Sequence, residues 1–472
     1  MRLAAVLLSA CAMAQVPFET FDLNAGETAP SRHGAVWLVS WQVKRDTSAG
    51  AVREAWIEVR VAGKLERIEC GNYNLPKTVG PVQIDCPVLG EYPKNANGNL
   101  WAIEKHARIR VWPAGSPWMT PGAFAYPVKQ RWFATATQMS NEPTFIDGGD
   151  TATRKAIYYH TGLDIGGAEG FTPVVAATDG LIVSLGNARL PGHDAPVVNP
   201  RYDVIYLLDS RGWYYRYSHL HSFNPSLKLG AKVIQGQDLG LLGKEGGSGG
   251  WSHLHFEAYA KQPSGRYGTL DAYAFLWEAY LRDYQPPVIA VARPHRFVKT
   301  GERVTIDASK SWAKTGIRRF RWKLSDGTEA QGPSLERTYA KPGTYSELVE
   351  AEDERGNVAR DSAIVQVIDA ADPAAPYPSL HLSYFPSLDA RAGEPITFQA
   401  RSFLQQYPQP PGGEEKWDFG DGATGVTRSD GNREKLNPQG YARIAHTYAK
   451  PGRYLVKVER EGAAMYLDVV VR

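Results

Sequence analysis

The sequence predicts a mainly β, multidomain protein, and three observations carry that prediction. Its 472 residues exceed what one hydrophobic core organises and suit three or four domains of roughly 100–200 residues each. Short runs rich in Val, Ile, Tyr and Trp recur with apolar and polar residues alternating, and Gly-, Pro- and Asn-containing turns separate them. The stretch Thr338-Tyr339-Ala340-Lys341-Pro342-Gly343-Thr344-Tyr345 returns as Thr447-Tyr448-Ala449-Lys450-Pro451-Gly452-Arg453-Tyr454, which marks a duplicated unit near the C-terminus.

Residues 1–14 read as a signal peptide. Arg2, a short apolar core and Ala12-Met13-Ala14 ahead of Gln15 have the pattern of a cleaved secretory leader. Leu8-Ser9-Ala10-Cys11 also resembles a bacterial lipobox, so a lipid anchor at Cys11 stands as the alternative to simple secretion. Export shapes the reading of the remaining cysteines: Cys70 and Cys86, an even pair in an oxidising compartment, are expected to form one disulfide. The net charge of +3 is far from that of a polyelectrolyte binder, so no nucleic acid partner is expected. No apolar run of the ~20 residues needed to span a bilayer follows the leader, so no transmembrane span is expected.

Residues 15–125 predict an N-terminal β domain of unknown role. Strands are expected at 35–41, 55–61 and 107–112, and turns at 62–64 and 94–98. Its tryptophans are assigned to core packing rather than to a carbohydrate platform. Pro113, Pro117, Pro121 and Pro127 mark a linker or entry loop into a β-rich central domain, residues 126–284. Residues 271–280 suit a helix closing that domain, and Gln285-Pro286-Pro287 ends it.

The chemistry concentrates in this central domain. In Gly249-Gly250-Trp251-Ser252-His253-Leu254-His255-Phe256-Glu257, a strand places His253, His255 and Glu257 on one face and Leu254 and Phe256 on the other. In Tyr158-Tyr159-His160-Thr161-Gly162-Leu163-Asp164-Ile165-Gly166-Gly167, His160 and Asp164 would lie about 13 Å apart on a straight strand, so sharing a metal requires a bend at Thr161-Gly162. Tyr217-Ser218-His219-Leu220 adds another histidine. Six of the eleven histidines (His160, His193, His219, His221, His253, His255) fall between 160 and 255, which argues against incidental surface placement. Neutral imidazole and carboxylate are zinc donors, and three protein ligands leave one position open for water.

Together these stretches resemble the lysostaphin-like (LytM-like) zinc metallopeptidases, whose pattern is His-x-x-x-Asp, then Tyr-x-His-Leu, then His-x-His-Phe-Glu. Residues 174–183 and 229–240 resemble that family's intervening strand and Gly-Gln-x-x-Gly hairpin, so the likeness covers roughly 126–280. The resemblance implies Zn2+ held by His160, Asp164 and His255, with His219 and His253 as catalytic residues. It implies an exported zinc metalloendopeptidase (periplasmic, envelope-bound or secreted) acting on bacterial peptidoglycan or another extended peptide. Two alternatives stay open: a non-catalytic LytM-like wall-binding or hydrolase-activating protein, and a secreted protease for Gly-rich proteins. Degenerate members lack zinc ligands; here every ligand position is filled, which favours the enzyme. Glu257 is read either as an orienting partner of a histidine or as a plain surface glutamate. His221 is expected to turn to solvent ahead of Asn224-Pro225.

The duplicated units extend the likeness. Trp417-Asp418-Phe419-Gly420-Asp421-Gly422 has a weaker counterpart in Trp322-Lys323-Leu324-Ser325-Asp326-Gly327. Both units resemble PKD-type domains, which implies two immunoglobulin-like β-sandwiches at 286–369 and 376–472, joined by an Ala- and Pro-rich linker at 369–378. Asp418 and Asp421 are open to calcium binding or to turn hydrogen bonding. The repeats are expected to position the enzyme on insoluble wall and to be dispensable for cutting a small soluble peptide.

Overall fold

The computed structural model describes residues 16–472 except 46–50, 95–97, 146–156, 196, 370, 372–377, 405–412 and 431–439. The expected signal peptide and the Cys11 lipidation site lie outside the described residues, as does most of the 369–378 linker. The protein is mainly β and multidomain, as the patterning predicts.

The N-terminal region is a pair of four-stranded sheets. One runs Glu19–Leu23, Ala107–Pro113, Val82–Leu89, Lys77–Val79; the other runs Thr28–Ala29, Val36–Arg45, Val52–Val61, Lys64–Glu69. Strand Val52–Val61 buries Ala55, Ile57, Val59 and Val61, the period-two set that its sequence spells out. Trp101 and Trp112 are buried, whereas Trp37 is 39% exposed under the Arg60 guanidinium. The expected disulfide is not formed. Cys70 and Cys86 face each other across a β-bridge as free, buried thiols. They sit in the apolar cluster between the sheets, where a neutral thiol packs as a small hydrophobe. Burial first, and then the neighbouring Cys86, pushes the Cys70 thiol well above its ordinary value.

One hydrophobic cluster runs from this region into the central domain. Phe18 stacks on Phe275 at 5.6 Å and meets Trp112 at 5.0 Å. The central sheet is antiparallel, in the order Ala188–Arg189, Gly180–Leu185, Ile205–Leu208, Tyr214–Ser218, His253–Lys261, Leu163–Gly166, Thr137–Gln138. A smaller sheet, Pro173–Val175, Asp238–Leu242, Leu220–Phe223, packs beside it. The closing helix is Tyr273–Tyr284, starting later than expected because the Asp271 Oδ1 atom accepts the Tyr273 N–H from outside the helix. Gln285, with φ 45°, ends it in the left-handed region.

Each repeat is a sandwich built on its tryptophan. Trp322 and Trp417 are both fully buried. Asp418 and Asp421 accept the backbone N–H groups of Gly420 and Ala423, so turn formation accounts for both carboxylates. The repeats pack on the central domain and on each other. Asp468 of the second repeat is reached by Arg453 at 2.5 Å, by Arg360 of the first repeat at 3.5 Å, and by Arg131 of the central domain at 3.5 Å. Among the described residues no helix is long and apolar enough to cross a membrane.

Candidate active site

The central strand His253–Lys261 lies between Leu163–Gly166 and Tyr214–Ser218, so three motifs distant in sequence become neighbours. Asp164 pairs directly with His255, and Ser218 with His255 on the other side. Leu254 and Phe256 point into the core and the three polar residues point away from it. The bend that brings His160 back over Asp164 falls at Gly162, whose φ is 124°. A Cβ there would stand 2.9 Å from the Phe256 carbonyl oxygen, so the close approach of the two strands requires glycine.

His160 is held from the N-terminal side. Its backbone N–H donates to the Glu142 carbonyl at 2.9 Å, and its carbonyl accepts the Asn141 N–H at 2.7 Å. The Asn141 side chain is fixed in turn by Trp101 Nε1 and the Pro87 carbonyl. The neighbouring Tyr159 packs into the N-terminal core, where its hydroxyl accepts the Val52 N–H.

Three donor atoms converge. His160 Nε2 is 3.1 Å from Asp164 Oδ1, His255 Nδ1 is 2.9 Å from the same oxygen, and the two nitrogens are 3.0 Å apart. The outward nitrogens set the tautomers. His160 Nδ1 faces the Met139 carbonyl at 3.1 Å and His255 Nε2 faces Glu257 Oε2 at 3.2 Å, so each N–H is spent outward. With those protons outward, the two inward nitrogens and the Asp164 oxygen are all able to ligate one cation. Four ligands at zinc bond lengths of about 2.0–2.1 Å lie about 3.3 Å apart, close to the edges seen here. The residues therefore fit a zinc-sized ion. Without a metal, the same carboxylate favours a proton on His160. Burial opposes charge on His160, yet the Asp164 carboxylate wins and pushes it up to about 9. Burial would raise Asp164, but the charge of His160 and the imidazole hydrogen bonds hold it well below the usual carboxylate range.

His219 and His253 stand beside this triangle, their ring centroids 4.7 Å apart. His219 lies outside the strands. It occupies a kink between Tyr214–Ser218 and Leu220–Phe223 with φ 67°, a conformation a non-glycine residue keeps only when its surroundings hold it there. Its N–H donates to Asp203 Oδ2 at 2.9 Å, its Nδ1 meets the Glu245 carbonyl at 2.5 Å, and Arg201 pairs with Asp203 alongside. The kink separates His219, which is buried, from His221, which is exposed. His253 Nε2 is 3.3 Å from Asp164 Oδ2, and its ring lies flat against Trp251 at 3.8 Å. Burial lowers the pKa of both histidines, most strongly for His253, so both are neutral near pH 7.

Sequence reading missed Arg201, Asp203, Glu245 and Trp251 as parts of the site. Arg201-x-Asp203 lies in a loop with no periodicity, and no local pattern ties it to His219. Gly246 lies against that pair: a Cβ on it would stand 2.6 Å from the Arg201 guanidinium carbon, so its glycine makes room for that side chain. Glu169, His221 and Glu245 form a second group of donor atoms within 4.8 Å, but Lys244 Nζ already neutralises Glu169 at 2.6 Å.

Residues 158–265 match peptidase family M23, and residues 284–367 and 382–464 each match the PKD domain. No curated protein is similar enough to match. Among solved structures, the chain is similar to a mutant of the catalytic domain of the prophage-encoded M23 protein EnpA from Enterococcus faecalis. Identity is 24% over 23% of this chain and 74% of that one, with TM-score 0.18. The antimicrobial peptidase lysostaphin from Staphylococcus simulans matches at 17% identity over 48% and 87% of the two chains, TM-score 0.24. A putative peptidase M23 from Pseudomonas aeruginosa matches at 16% identity over 57% and 97%, TM-score 0.22.

Proposed function

Because residues 158–265 are a peptidase family M23 domain followed by two PKD domains, we propose that the protein is an exported zinc-dependent endopeptidase that hydrolyses peptide bonds of bacterial peptidoglycan. The observation that carries the zinc is the donor triangle of His160, Asp164 and His255, with both outward imidazole N–H groups committed elsewhere. When bound there, zinc supplies a water acidified to a pKa of about 7 and polarises a peptide carbonyl.

The chain's own residues do the rest. His219 and His253, neutral and adjacent, accept a proton at a ring nitrogen and return it to the departing amine. Between those two transfers the protonated imidazole donates a hydrogen bond to negative charge developing on the carbonyl oxygen. No His-Glu-x-x-His helix offers a glutamate base, so these histidines carry the proton work. Asp203 and the Glu245 carbonyl hold His219 in one orientation, so little reorganisation is needed during reaction. The peptidoglycan substrate and an envelope or extracellular location rest on the family and on the PKD domains.

Digestion of purified sacculi with product analysis, alongside elemental analysis, tests this reading. The expected result is one zinc per chain, soluble products bearing new amino termini, and loss of both metal and activity in His160→Ala, Asp164→Ala and His255→Ala. Full zinc in the His255→Ala variant, or a zinc-replete parent that releases nothing, would overturn it.

A further inference from the structure

The second PKD domain is joined to the loop that carries the catalytic-site tryptophan. The Ser252 N–H donates to Tyr441 Oη at 2.7 Å, and that hydroxyl donates onward to His381 Nδ1 at 2.6 Å. Arg401 Nη1 donates to the Gly250 carbonyl at 2.5 Å, while Asp430 holds the same guanidinium at 3.0 and 3.1 Å. Gln399 clamps the Glu169 backbone from both sides, accepting its N–H at 2.8 Å and donating to its carbonyl at 3.0 Å. Tyr441, His381, Arg401 and Gln399 are all buried. Separating the two domains would break the four hydrogen bonds that cross between them at buried groups, which makes the contact specific as well as close.

Trp251 lies between the two clamped residues. One face of its indole covers the His253 ring at 3.8 Å, and the His381 ring lies tilted to it at 5.2 Å. The chain ahead of it is Gly249-Gly250, with φ 69° and 83°, backbone that has wide freedom of its own. Within the central domain, Gly167 holds Ser252 through its carbonyl at 2.8 Å and its N–H at 3.3 Å, and the Gly250 N–H donates to Ser248 Oγ at 3.1 Å. Tyr441 and Arg401 add a second grip at the Ser252 N–H and the Gly250 carbonyl, on either side of the indole.

We propose that the second PKD domain is a working part of the peptidase cleft: Tyr441 and Arg401 are positioning residues that hold residues 250–252, and through Trp251 fix the ring plane of His253. This rests on the proposed peptidase function. It reverses the expectation of a tethered, dispensable module, because loosening the clamp lowers turnover on a small soluble substrate as much as on whole wall.

The test uses the full chain, purified sacculi and a soluble muropeptide fraction prepared from them. Tyr441→Phe keeps the ring and removes only the hydroxyl. It is expected to lower kcat about 10–100-fold on both substrates, the loss typical of a misplaced catalytic group, with KM within about twofold and zinc content unchanged. Arg401→Lys keeps the charge and should lose less. Trp251→Ala combined with Tyr441→Phe should be no worse than Trp251→Ala alone, because both act along one path. Ser346→Ala, at the contact between the two repeats, should leave kcat at the parent value. A readout independent of activity is the His253 Cε1 proton resonance, displaced by the Trp251 ring current and expected to move in Tyr441→Phe. A folded Tyr441→Phe protein with parental kcat and an unmoved resonance would overturn the proposal. A parent that cuts nothing, but whose His253 resonance responds to Tyr441→Phe, would refute the peptidase reading while upholding the clamp.

Discussion

Replacing Glu257 tests how the site prepares itself for a metal. Glu257 is 2% exposed, and its Oε2 atom receives His255 Nε2 at 3.2 Å and Arg216 Nη1 at 3.3 Å. The first contact keeps the His255 proton on the outward nitrogen and so leaves Nδ1 free to ligate. Outer partners of this kind typically contribute 10–100-fold in metal affinity, or about 1.4–2.7 kcal/mol. Glu257→Gln retains a carbonyl oxygen as acceptor and loses only the charge, so a loss near tenfold is expected. Glu257→Leu removes the acceptor where water cannot replace it and leaves Arg216 facing an apolar group, so a loss near a hundredfold is expected. Zinc affinity is read by competition with a chromophoric chelator, and the melting temperature in EDTA reports separately on whether the metal-free variants are folded. A folded Glu257→Leu protein that binds zinc as tightly as the parent would refute the argument that this carboxylate sets the His255 tautomer.

The two histidines near the kink should separate cleanly: His219→Ala is expected to keep zinc and lose about 10²–10³ in kcat, while His221→Ala stays within a few-fold, and the reverse in single-turnover assays would show that the roles are exchanged. Gly162→Ala should weaken zinc binding and cost about 1–3 kcal/mol of stability, measured by chelator competition and thermal melting, because φ 124° and the Phe256 carbonyl leave no room for a Cβ. At the three-domain junction, burial would raise Asp468, but its hydrogen bonds with Arg453 and the charges of Arg131, Arg453 and Arg360 outweigh that and lower it. A depressed carboxyl stabilises fully above its unfolded pKa, about 3.9, and loses that contribution as pH falls through the folded value. Asp468→Asn should therefore cost about 3–5 kcal/mol near neutrality, with the gap in melting temperature closing below about pH 4; a gap that stays constant with pH would assign the effect to shape rather than charge.

Several features were legible because they are local. The alternation of Val52–Val61 is written at period two, and burial follows it residue by residue. His160, Asp164, His219, His253 and His255 each sit in a short motif whose spacing survives without any knowledge of the fold. The bend at Gly162 followed from chain length alone: two residues four apart cannot meet on an extended strand. The bridge expected at Cys70 and Cys86 is not shown, since both are free, buried thiols in this structure. Counting cysteines states which two are available, but whether they oxidise or pack as thiols depends on the apolar interior around them.

The sequence by itself determined the mainly β class, the family of the central domain, the duplicated C-terminal unit and the group of side chains gathered at the site. These depend on periodicity and short spacings, which act within one strand or one turn. Only the tertiary structure decided the left-handed kink at His219, the Arg201 and Asp203 support behind it, and the seating of the second repeat on Gly250 and Ser252. Those depend on contacts between residues up to 189 positions apart, such as Ser252 and Tyr441. Their partners are chosen by packing in three dimensions, and no local pattern in the chain records that choice.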